Sequence, residues 1–154
     1  MAMEIERKYI VDAGKWHPED AGLNVVQGYL PASGKTAVRV RIAGENAWLC
    51  LKGVNQGPVR SEFEYPIPVS DARQMLDELC VRPFIEKTRH YVSHAGATWE
   101  VDVFYGENTG LIIAEIELIS EHQEIILPHW IKDEVTYDPR YYNANLVLKP
   151  FRRW

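Results

Sequence analysis

The sequence predicts an α+β fold made mainly of antiparallel strands. Three features carry that reading: eight segments with two-residue alternation or β-rich composition, short glycine-containing turns between neighbours, and a single clear helical period. The first strand, 3–11, sets Glu4, Glu6 and Lys8 on one face. A second, 25–30, is rich in valine. The third, 37–43, alternates most cleanly, as Val38-Arg39-Val40-Arg41-Ile42, and Gly44-Glu45-Asn46 turns it back into a fourth at 47–52. A fifth follows at 60–67. Ser70 then reads as a helix N-cap, with Ala72, Met75, Leu76 and Leu79 at helical spacing until Pro83 ends the run. Strands resume at 85–93 and 98–104, and the turn 106–110 leads into the last, 111–119. Ser120 with Gln123 matches a capping box that Pro128 keeps short. The tail, 133–154, reads as a turn and a short helix packed over one end.

With 154 residues, 46% hydrophobic and 25% charged, the chain is predicted to form one domain, residues 1–154, around a buried core. No repeat or low-complexity linker divides it. The net charge of −5 argues against a broad surface for nucleic acid. No apolar run is long enough for a membrane span, and the start lacks the apolar stretch of a secretory signal, so a soluble cytoplasmic protein is expected. Cys50 and Cys80 suit reduced thiols in that compartment.

The polar face of each strand is nearly pure in sign. Residues i and i+2 share a face, which groups Glu4 and Glu6 with Lys8, Arg39 with Arg41, Glu62 with Glu64 beside Arg60, Lys87 with Arg89, Glu100 with Asp102, and Glu115 with Glu117; Lys52 ends another strand. The other faces carry Val38, Val40, Ile42, Leu49, Leu51, Val101, Val103, Ile116 and Leu118. Like charges about 6.6 Å apart along a strand repel by roughly 0.6 kcal/mol in water and roughly 2.5 kcal/mol at an effective dielectric of 20. Four acidic pairs in a confined space would then cost on the order of 10 kcal/mol, comparable to the stability of a whole domain. Either the face is open to water or something bound there compensates.

If the sheet curls into a barrel with this face inward, the interior must be a wet tunnel, since charged side chains do not pack dry. It would hold seven cations (Lys8, Arg39, Arg41, Lys52, Arg60, Lys87, Arg89) against eight carboxylates (Glu4, Glu6, Glu62, Glu64, Glu100, Asp102, Glu115, Glu117). One or two Mg²⁺ or Mn²⁺ ions on carboxylate pairs would bring the sum to about +1 or +3 and favour a small polyanion.

Glu4-Ile5-Glu6-Arg7-Lys8, followed in order by Arg39-Val-Arg41, Lys52, Lys87-x-Arg89 and Glu115-Ile-Glu117, with the tail from Val135-Thr136 to Asn145, strongly resembles the CYTH family, the triphosphate tunnel metalloenzymes. The resemblance spans nearly the entire chain. It implies a closed eight-stranded antiparallel barrel with flanking helices and divalent-metal-dependent hydrolysis of a triphosphate. It also implies that Glu4, Glu6, Glu115, Glu117 and Asp102 hold Mg²⁺ or Mn²⁺, and that Lys8, Arg39, Arg41, Lys52, Arg60, Lys87 and Arg89 line the path of the phosphates. Glu62, Glu64 and Glu100 then orient the basic residues. Lys8 is the candidate for aligning the nucleophile, with Tyr29 resembling the tyrosine that pairs with this lysine; a purely pocket-shaping role for Tyr29 stays open.

The absence of an evident base-recognition element leans the substrate toward inorganic tripolyphosphate, cleaved to pyrophosphate and phosphate. Two alternatives stay open: an adenylate cyclase converting ATP to cyclic AMP, and a polyphosphate-binding module without turnover. The resemblance also suggests a homodimer. Other signals carry less. Gly28 to Lys35-Thr36 has the wrong spacing for a P-loop and leads into a strand, not a helix. His90 and His94 lie about 13 Å apart on a strand, too far for a zinc pair. The tryptophans and Phe151-Arg152-Arg153-Trp154 read as packing residues.

Overall fold

The computed structural model describes residues 3–32, 34–54 and 57–154. Nine strands and two α-helices form in the order β1 (Met3–Val11), β2 (Leu23–Leu30), β3 (Ala37–Ala43), β4 (Asn46–Lys52), β5 (Val59–Ile67), α1 (Val69–Leu79), β6 (Ile85–His94), β7 (Ala97–Phe104), β8 (Ile112–Glu117), β9 (Ile131–Glu134) and α2 (Asn143–Leu148). The sheet runs β5-β4-β3-β2-β6-β7-β8-β1, and β1 also pairs with β5, so eight antiparallel strands close into a barrel with β9 appended beside β1.

Closure is narrow. Met3, Glu4 and Ile5 pair with Ser61, Arg60 and Val59, and the Glu6 N–H donates to the Pro58 carbonyl at 3.0 Å. Farther along, β1 pairs with β9 through Tyr9 with Glu134 and Val11 with Ile131. One strand thus binds two partners in succession along one edge.

The barrel is polar inside and apolar outside, so its outer wall needs cover. Helix α1 lies over β2, β3 and β4 and buries Ala72 and Leu76 against Val40 and Ala47. Gly28 permits this approach: a Cβ there would lie 2.8 Å from Leu76 Cδ2 and 2.9 Å from Cys80 Cβ. On the β1, β7 and β8 side, Trp16 and Trp130 pack against Trp99, with Trp99 and Trp130 edge-on at 6.0 Å. The third cluster closes one end of the barrel. Ile85, Phe104 and Ile113, on the inward-facing positions of β6, β7 and β8, meet Leu146 and Val147 of α2.

All eight expected strands form, with ends moved by one or two residues. Gly44, at φ 59°, makes the β3–β4 turn. Three expectations are corrected. The cap of α1 is Pro68 and Ser70 lies inside the helix. No helix follows Ser120; the Gln123 side chain accepts from the Ile119 N–H at 2.7 Å and closes a turn instead. The tail adds β9, because the edge of β1 past its short pairing with β5 offers free backbone groups to any extended segment.

Gly28→Ala is expected to lower the melting temperature by several degrees, since overpacking costs roughly 1–3 kcal/mol. An unchanged melting temperature would mean that α1 shifts freely.

Candidate active site

Alternation along each strand sets the inward residues in a graded series. On β1 they run Glu4, Glu6, Lys8, Ile10; on β8 Glu117, Glu115, Ile113; on β7 Glu100, Asp102, Phe104; on β6 Arg89, Lys87, Ile85. The register sets Glu6 opposite Glu117, Lys8 opposite Glu115, and Ile10 opposite Ile113. On β1 acid gives way to base and then to hydrocarbon; β7 and β8 run from acid, and β6 from base, to hydrocarbon at the same end.

Two cavities follow that gradient. One, of about 410 Å³, is lined by seven cations, Lys8, Lys35, Arg39, Lys52, Arg60, Lys87 and Arg89, with only Glu6 and Glu115 as carboxylates. The other, of about 420 Å³, reverses the balance, with Glu4, Glu6, Glu62, Glu64, Glu100, Glu115 and Glu117 around Arg39, Arg41, Lys52 and Arg89. Glu6, Glu115, Arg39, Lys52 and Arg89 line both and form a shared waist.

Ion pairs hold this wall in shape. Lys52 bridges Glu4 and Glu62 at 3.0 Å each, Glu64 sits 3.3 Å from Arg41 and 3.8 Å from Arg39, and Glu100 pairs with Arg89. Lys8 Nζ lies 3.4 Å from Glu115. Burial opposes the charge of Lys8, but Glu115 and Glu6 outweigh it, so its pKa is raised and it remains an ammonium. Burial likewise works against the Glu115 carboxylate, yet Lys8, Arg89 and Lys87 bring its pKa down to about 2. Lys87 is the opposite case: burial dominates and pushes it down to about 8.

Two sequence expectations change. Asp102 lines neither cavity. It is 1% exposed, with Lys87 at 2.8 Å on one oxygen and Arg89 in a two-pronged contact at 2.8 and 2.9 Å. Both oxygens are engaged by cations, so it sets the direction of the basic pair. Tyr29 lines the basic cavity, but its hydroxyl accepts from Gln27 at 3.4 Å. The neighbours of Lys8 Nζ are Glu115, the Tyr141 carbonyl at 3.4 Å and the ring of Tyr142 at 5.4 Å. The other site residues line one cavity or both, Arg41 only the acidic one.

Several contributors are not among the expected site residues. Lys35 lines the basic cavity from a segment whose spacing fails as a P-loop. Thr136, Tyr142, Asn143 and Asn145 enter from the tail, which has no period to give them away. Cys50 reads from sequence only as a reduced thiol; its sulfur lies with Glu62 and Glu64 oxygens within 4.8 Å of one another.

The donor set suits a divalent cation at the acidic end. Among the described residues the Glu6 carboxyl has no ion-pair or hydrogen-bond partner; its pKa stands well above the usual range through burial and the charges of Glu115 and Glu4. Glu4, raised to about 7 by burial and its contact with Glu62, lies beside it. Hard cations prefer such carboxylate oxygens. Glu4, Glu6, Glu115 and Glu117 line the acidic cavity from the adjacent strands β1 and β8 and could supply such oxygens, although Glu4 and Glu115 also contact Lys52 and Lys8.

Such a tunnel, cationic at a closed end and carboxylate-rich beyond its waist, defines an anion-receiving barrel. Comparison with known proteins narrows the class: the CYTH domain family matches residues 2–146. An inorganic triphosphatase of Acetivibrio thermocellus is 45% identical over 154 residues, covering 100% of this chain and 99% of the relative. One from Nitrosomonas europaea is 35% identical, covering 94% and 97%. The crystal structure of the inorganic triphosphatase NE1496 superposes with a TM-score of 0.68 at 33% identity over 96% of each chain. The chain belongs to the CYTH domain family.

Two substitutions separate the roles of the carboxylates. Asp102→Asn is expected to destabilise the protein by roughly 3–5 kcal/mol, because it strips counter-charge from two buried cations. Glu6→Gln is expected to raise the melting temperature of the metal-free protein and to abolish its stabilisation by Mg²⁺. Equal losses in both variants would contradict this division.

Proposed function

We propose that residues 1–154 act as a single tunnel domain that hydrolyses inorganic tripolyphosphate to pyrophosphate and phosphate with Mg²⁺ or Mn²⁺. The observation that carries this reading is the lining of the basic cavity, where Lys8, Lys35, Arg39, Lys52, Arg60, Lys87 and Arg89 converge with Glu6 and Glu115 as the carboxylates. Seven cations facing two carboxylates leave a surplus of positive charge, which the oxygens of a phosphate chain would neutralise. The names of the full-length relatives, inorganic triphosphatases, support the same substrate.

The reaction asks mainly for positioning and charge neutralisation. Arg39, Lys52 and Arg89 at the waist, with Lys8, Arg60 and Lys87 beyond it, would hold the chain by charge-assisted hydrogen bonds. Asp102 aims Lys87 and Arg89 and keeps their side chains from collapsing outward. Lys8, held as an ammonium by Glu115, donates to phosphate or orients a water; it does not accept the proton. Glu4, Glu6, Glu115 and Glu117 would hold the metal, which when bound neutralises phosphoryl oxygens.

The test is phosphate release from tripolyphosphate, ATP, thiamine triphosphate and pyrophosphate with Mg²⁺, Mn²⁺ or EDTA, alongside a cyclic AMP assay. Rapid metal-dependent release from tripolyphosphate is expected. Cyclic AMP formation, or binding without turnover on every substrate, would overturn the reading. Arg39→Ala is expected to raise KM for tripolyphosphate by roughly 10–100-fold, the worth of a charged contact of about 1.5–3 kcal/mol.

A further inference from the structure

One wall of the basic cavity comes from α2, whose first residue, Asn143, lines it together with Lys8, Tyr29 and Lys87. Its Oδ1 accepts from Gln27 Nε2 and from Lys87 Nζ, each at 3.2 Å. The orientation of this amide is forced. A lysine ammonium only donates, so the atom facing Lys87 must be the oxygen. Gln27 and Lys87 are themselves held from behind, Gln27 by full burial on β2 and Lys87 by Asp102 at 2.8 Å.

With Oδ1 committed, the Asn143 Nδ2 group has no protein acceptor among the described residues, although the side chain lines the cavity. Lys87 uses one proton on Asp102 and one on Asn143, which leaves a third for the cavity. An oxygen taking that third proton lies next to Asn143. Resting on the reading that the cavity takes a triphosphate, we propose that Asn143 is a substrate-binding residue. Its Nδ2–H donates to a phosphate oxygen while its Oδ1 keeps Lys87 aimed at the same phosphate. The helix that closes the barrel and the strand β6 then grip the anion together.

The test compares Asn143→Ala and Asn143→Asp with the parent protein, by calorimetric binding of tripolyphosphate and by Mg²⁺-activated turnover. Asn143→Ala is expected to raise Kd and KM by roughly fivefold, the worth of one neutral hydrogen bond, with kcat little changed. Asn143→Asp keeps an acceptor for Lys87 and Gln27 but puts a carboxylate where the donor stood, which repels phosphate as well as failing to donate, so it is expected to bind more weakly still. Acidic residues are favoured in a first helical turn, so this variant should fold, which thermal melting checks. Parent-like affinity in Asn143→Asp would show that only the acceptor matters and would overturn the proposal, as would unchanged binding in Asn143→Ala. A parent protein that binds tripolyphosphate without hydrolysing it would sink the hydrolase reading alone, the Kd ratios still deciding the role of Asn143. No binding by the parent would overturn both.

Discussion

Closure of the β-ladder is the constraint on which the rest depends. Once β1 reaches β5, the polar faces of eight strands have no outlet to bulk water except along the barrel axis. Charges that an open sheet would leave solvated must then neutralise one another or something bound between them. The protein does both. Asp102, Glu62, Glu64 and Glu100 are paired with cations, whereas among the described residues Glu6 and the Nε–H groups of Arg39, Arg41 and Arg60 remain without partners. The pairs shape the wall, and the charge they leave uncompensated is available to a ligand.

The outer architecture answers the same constraint from the other side. A barrel with a wet interior cannot have its core inside, so its apolar residues face outward and need cover. Helix α1 and the Trp16, Trp99 and Trp130 cluster supply it on two sides. The remaining apolar residues turn inward only at one end, where α2 seals Ile85, Phe104 and Ile113. That seal gives the tunnel a direction: a ligand meets acid toward one end and base toward the other.

Most of the barrel is legible in the sequence because its signal is periodic. The alternation in Val38-Arg39-Val40-Arg41 and in Glu115-Ile116-Glu117 yields both the strand and the face. The like-charge pairs also mark most of the site, since repulsion between confined like charges demands compensation however the strands are ordered. The rest depends on contacts between distant segments. Ile131–Glu134 has no strand-like pattern and pairs because β1 has edge to spare. Asn143 and Tyr142 matter only because α2 folds back over the cavity. Asp102 shares a strand face with Glu100 and so has the pattern of a ligand; only the positions of Lys87 and Arg89 show its oxygens to be occupied.

A crystal grown with Mn²⁺ and tripolyphosphate would reveal the polarity of the tunnel, because anomalous scattering locates the metal independently of the phosphates. Manganese is expected among Glu6, Glu115 and their carboxylate neighbours, with the phosphate chain running from the waist toward Lys87. Manganese bound at Asp102, or phosphates lodged in the carboxylate-rich cavity, would contradict it.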